Sequence, residues 1–153
     1  SVFRHPVTAI CDFFVDLMRA YIANNLSLLC LHCAAARFRS GLVLFPSAYR
    51  AGKSVLSVHL ARAGIRIFGD NVMPVSVATG EGRAAGILPR LRLPLPDDTS
   101  AGFGEFVAGH AGPNSDRYQY VNLDEKVLAP MGETAPIHGI VLLRREDGVA
   151  TSI

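Results

Sequence analysis

Residues 45–55 read FPSAYRAGKSV, and the chemistry lies in Gly52, Lys53 and Ser54. This trio closes the pattern G-x-x-x-x-G-K-[ST]. In that pattern, backbone N–H groups and the lysine cradle phosphates, and the hydroxyl holds Mg²⁺. The expected phosphate contacts are Ser47, Ala48, Tyr49, Arg50, Ala51, Gly52, Lys53, Ser54 and Val55. Two positions depart from the pattern. Ser47 stands where the first glycine belongs, which a negative φ tolerates. Arg50 sits where a small residue is usual, and either adds a cation for the phosphates or projects outward.

Such a loop needs a strand before it and a helix after it, so that the helix dipole faces the anion. GLVLFP supplies a short buried strand, and GKSVLSVHLARAG a helix closed by Gly64. Upstream, LSLLCLHCAAARF is a continuous apolar run that suits a buried strand. Downstream, IRIFGDN is a third strand ending at Asp70-Asn71. The order strand, loop, helix, strand predicts a βαβ unit with a parallel pair. Ahead of it, residues 9–24 place Ile10, Phe13, Phe14, Leu17, Met18, Tyr21 and Ile22 on one helical stripe. Beyond it come β-like runs around the turn 79–82, a Pro/Gly-rich stretch with one short helix, and the strands RYQYVNL and IHGIVLLRR. The predicted fold is α/β: a single P-loop core with a mixed β-sheet over residues 1–153 and an N-terminal helix. The end, REDGVATSI, stops without a closing helix, as a truncated or minimal version of a longer chain does.

Composition narrows the function. With 153 residues, 50% apolar and 18% charged, the chain suits one domain with a sizeable core. A net charge of +2 with scattered arginines does not suggest nucleic acid. No apolar run reaches membrane-span length. Three cysteines are too few and odd in number for a disulfide framework, which points to the cytoplasm. Cys30 and Cys33 in CLHC lack the second pair that zinc requires and read as buried free thiols. Asp97-Asp98 reads as a solvated turn, and Arg144-Arg145 as exposed charge at a strand end.

The stretch from His32 through the loop to ARAGIRIFGDN resembles the HPr serine kinase/phosphorylase family, and more closely its HPr-kinase-like relatives. Those proteins carry a histidine before the strand, the P-loop, its helix, and an Asp-Asp pair after the next strand. The resemblance is strong over residues 30–76 and weaker in GILPRLRLPLP, RYQYVNL and APIHGIVLLRR. It implies an HPr kinase/phosphoenolpyruvate carboxykinase-like fold and an ATP- and Mg²⁺-dependent kinase whose acceptor is a protein or peptide serine. It implies that Lys53 contacts the β and γ phosphates, Ser54 binds Mg²⁺, His32 lies near the transferred phosphate, and Asp70 matches the first aspartate. The second aspartate, the family's base, is Asn71 here, and an amide takes no proton at neutral pH. Glu81, in EGRAAGI, has the letters of the family's E-x-R-x-x-G-I stretch but sits closer to the loop, and the turn TGEG explains it as well. Ser54 and Asp70 are thus the expected metal ligands, and His32, Lys53, Asp70 and Asn71 the expected catalytic positions. Two alternatives stand beside the kinase: a degenerate nucleotide-binding or interaction module, and a P-loop kinase for a small metabolite. A homo-oligomer is left open.

Overall fold

A computed structural model describes residues 6–39, 41–48, 51–96 and 99–144. Helix α1 (Pro6–Ala23) leads into β1 (Leu28–Leu31), β2 (Cys33–Phe38) and β3 (Gly41–Pro46). Helix α2 (Lys53–Arg62) is followed by β4 (Arg66–Gly69), β5 (Met73–Ser76), β6 (Glu81–Arg83) and β7 (Arg90–Arg92). Then come α3 (Ala101–Gly109), β8 (Ala111–Asn114), β9 (Tyr118–Val121) and β10 (Thr134–Ile140). Seven strands form one mixed sheet in the order β1-β5-β6-β10-β3-β2-β4, and β7-β9-β8 form a second.

This corrects the predicted α/β P-loop core. The protein is mostly β, with two sheets and three helices among the described residues. The expected direct parallel pairing of the strands flanking α2 is absent. β2 lies between β3 and β4 and is antiparallel to both. In the large sheet only β10 and β3 pair in parallel. The cause is local. Residues 39 and 40 alone join β2 to β3, with Phe38 opposite Gly41 and Arg39 at φ 54°. A connection that short closes only an antiparallel hairpin, because a parallel pair needs a crossover of a dozen residues or more.

Two clusters cover the two faces of β2. Ala34 and Ala36 pack with Val58 and Ala61 of α2, Ile67, Leu91, Phe103 and Val121. Cys33 and Ala35 pack with Leu42, Leu44, Phe68, Met73 and Ala135. Burial on both faces explains the continuous apolar run, which is also the signature of a central parallel strand. The predicted single strand over this region is two, β1 and β2, separated at His32. The predicted stripe of α1 is largely uncovered. Of its residues only Met18 is buried, while Phe13 is 63% exposed. No helix among the described residues is long and apolar enough to cross a membrane.

Candidate functional site at the start of α2

Residues 47–52 leave the end of β3 and enter α2 through Gly52, which takes φ 93°. A Cβ there would meet nothing within 4 Å, so the glycine answers to backbone conformation and not to space. No side chain caps the first turn of α2, which leaves its amides aimed at the cleft in front of them. Lys53 opens the helix and is 8% exposed. Its Nζ arches back over the loop and donates to the carbonyls of Ser47 (3.0 Å) and Ala48 (3.1 Å). The Ser47 Oγ is buried and has no hydrogen-bond partner among the described residues.

Asp70 follows the end of β4, where the chain bends, so strand alternation does not govern its direction. It is buried against α2. Its Oδ1 accepts from Ser57 Oγ at 2.9 Å and its Oδ2 from the Arg90 backbone N–H at 3.1 Å. Burial pushes the Asp70 carboxyl above the usual carboxylate range. Hydrogen bonds from the Arg90 N–H, Ser54 and Ser57, and the Arg90 charge, oppose that rise in part.

A cleft of about 500 Å³ opens over these groups. His32, Ala51, Gly52, Lys53, Ser54, Val55, Asp70 and Asn71 all line it. His32 and Asn71 are exposed on its rim. Ser47 and Ala48 meet Lys53 through their carbonyls, at the back of the loop. Tyr49 and Arg50 lie outside the described residues, as do Asp97, Asp98 and Arg145. Glu81 is not brought to this cleft. It sits on β6, where Thr79 Oγ1 donates to its Oε2 at 3.0 Å. Cys30 and Cys33 are free thiols. Burial, with Cys30 nearby, pushes the Cys33 thiol up to about 11 despite the opposing charge of Lys53.

The far wall of the cleft comes from the second sheet and was missed as a site in the sequence. Arg90, Arg92 and Tyr118 line it. In β7 the order Arg-Leu-Arg turns both arginines to one face and buries Leu91 on the other. Tyr118 pairs with Arg92 across the β7–β9 ladder, and Tyr120 with Arg90. The Arg90 guanidinium lies 4.5 Å over the Tyr118 ring, and that of Arg92 lies 5.6 Å from it. Arg90 Nη1 also contacts Cys11 Sγ of α1 at 2.6 Å, and that sulfur is 3.2 Å from the Tyr120 hydroxyl. Burial and the Cys11 contact push Tyr120 up to about 12. The alternation in RLRL was the available signal, but nothing local says that its polar face meets α2.

No family model matches this chain, and no characterised protein matches it in sequence.

Among the described residues no three His, Cys, Asp or Glu side chains gather as a metal cage. The donor set does fit Mg²⁺. A hydroxyl and a carboxyl, Ser54 and Asp70, both line the cleft. Mg²⁺ commonly takes one or two carboxylates and completes its shell with substrate phosphates and water.

Proposed function

We propose that the chain binds ATP with its phosphates on residues 47–55 and supports slow transfer of the γ-phosphoryl to a hydroxyl. The carrying observation is that Lys53, Ser54 and Asp70 meet at the uncapped start of α2, facing one cleft. Lys53 and the α2 amides supply the positive potential for the phosphates. The buried, unpartnered Ser47 Oγ is a further polar group on the same loop. Ser54 and Asp70 would hold Mg²⁺, which neutralises phosphate charge when bound. In the transfer the acceptor oxygen bonds to the γ-phosphorus as the bond to the β–γ bridging oxygen breaks, and ADP leaves with that electron pair. The acceptor's proton passes to water at the rim, where Asn71 orients the hydroxyl and takes no proton. The HPr-kinase resemblance supplies a protein or peptide serine as one acceptor. ATP as substrate and free thiols together suit the reducing cytoplasm.

A second reading, nucleotide binding without transfer, is favoured by Asn71, an amide where the HPr kinases that the sequence resembles place their base. Calorimetric titration of ATP with Mg²⁺, joined to measurement of ADP release, separates the two. Lys53→Ala is expected to abolish binding while circular dichroism stays that of the folded chain. Unchanged ATP affinity in that variant removes the phosphate-loop assignment.

A further inference from the structure

We infer that the cleft holds a second anion subsite, formed by Arg90 on the shelf of Tyr118, and that the hydroxyl acceptor is a small molecule bearing its own phosphate or carboxylate. This rests on the phosphate-loop assignment above and names the substrate class of the same cleft.

Arg90 is half-buried, yet what meets its guanidinium is a thiol sulfur, the Tyr120 hydroxyl and the Tyr118 ring face, and not a carboxylate. Among the described residues no carboxylate pairs with it; the ion pairs there join Arg19, Arg37 and Arg66 to acids. Among the described residues Asp70 is the one acid lining the cleft, and its two oxygens are engaged by Ser57 and the Arg90 backbone N–H. Lys53 is likewise held by carbonyls and not by an acid. Among the described residues, Lys53 and Arg90 therefore face one cleft with no carboxylate paired to either. A partly desolvated cation without a counter-ion is costly, and a ligand anion removes that cost.

The two cations also come from different elements and present different geometry. Lys53 is a point charge at a helix start, suited to a phosphate chain. Arg90 is a planar fork lying over the Tyr118 ring, suited to bidentate capture of a separate phosphate or carboxylate. The cleft volume of about 500 Å³ lies within the range of small-ligand sites.

The test titrates glycerol 3-phosphate, glycerate and glycerol into the full chain preloaded with a non-hydrolysable ATP analogue and Mg²⁺. An anionic probe is expected to bind about tenfold or more tighter than glycerol, the factor carried by one charge-assisted contact. Arg90→Gln is expected to erase that difference and Arg90→Lys to keep part of it. Both variants should retain the analogue affinity within about twofold, since additivity holds for separate sites. Anionic probes no better than glycerol on the analogue-loaded protein overturn the subsite and leave the loop assignment standing. A loss of analogue affinity in Arg90→Gln overturns it too, because Arg90 then belongs to the nucleotide site. If the analogue fails to bind wild type, the loop assignment falls. Glycerol 3-phosphate titrated alone then decides the subsite: Arg90-dependent binding sustains it, and none refutes it.

Discussion

The two walls of the cleft are built in different ways. The wall carrying Lys53, Ser54 and Asp70 is continuous chain from β3 to the end of β4, and a glycine at positive φ sets its turn. The opposite wall joins Arg90 of β7 to Tyr118 of β9 and Cys11 of α1, groups separated by up to 109 positions in contacts such as Cys11–Tyr120. The first wall is local geometry that a short motif encodes. The second exists only because a separate three-stranded sheet folds against α2. The glycine-lysine-serine turn of the first wall is set within a few residues, here inside a mostly β protein, while the opposing wall depends on the packing of the second sheet.

The sharpest way to break this contrast is Lys53→Ala, which removes the cation of the local wall. ATP affinity should fall by about 100-fold or more, as expected for a desolvated charge-assisted phosphate contact. Isothermal calorimetry reads it, and a folded variant that still binds ATP normally ends the distinction between the walls.

Asn71→Asp tests whether the local wall lacks only its base. General base catalysis contributes about 10²–10⁴-fold, so ADP release in the presence of acceptor should rise by about 10²-fold or more. A variant as slow as wild type favours the binding-module reading.

Asp70→Asn separates stability from function. Because burial raises the carboxyl in the folded state, folding binds its proton more tightly than the unfolded chain does. Stability therefore falls as pH rises from the ordinary carboxylate value of 3.8 to the raised one, and the deficit persists at neutral pH. Asparagine fits the site, since its oxygen can accept the Arg90 N–H while its amide donates to Ser57, whose hydroxyl turns to the Lys53 carbonyl. Thermal melts at pH 7 should show a gain of about 2–4 °C in Tm per kcal/mol recovered, vanishing in acid, with Mg²⁺-dependent ATP binding reduced. A lower Tm at pH 7 contradicts the account of Asp70.

Tyr118→Ala is expected to have the smallest effect and sharpens the assignment of the distant wall. Loss of a cation–π contact worth about 0.5–1 kcal/mol should weaken glycerol 3-phosphate binding about two- to fivefold and leave ATP affinity unchanged. A change in ATP affinity alone would merge the two walls into one nucleotide site.

Much of the local structure was legible in advance. The strand GLVLFP, the α2 helix and its Gly64 end, and the strand before Asp70 appear as β3, α2 with Gly64 at φ 77°, and β4. Periodicity and glycine placement are local signals, and these elements answer to local physics. Strand pairing is not local. Ala34, Ala35 and Ala36 read the same whether a doubly buried strand has parallel or antiparallel neighbours, and the deciding detail was the two-residue connection at 39–40. The amphipathic stripe of α1 was legible too, but how much of it the protein covers was not, and Phe13 and Leu17 remain exposed.

By itself the sequence determined a glycine-lysine-serine turn between a strand and a helix, because backbone preference and helix start are set within a few residues. It also determined that Asn71, and not a carboxylate, follows Asp70. Tertiary structure alone decided that β2 would insert beside β4, that Asp70 would turn inward onto Ser57, and that Arg90 would face Lys53 across one cleft. Those outcomes depend on burying two faces of one sheet at once, a condition satisfied by the whole chain and written in no single segment of it.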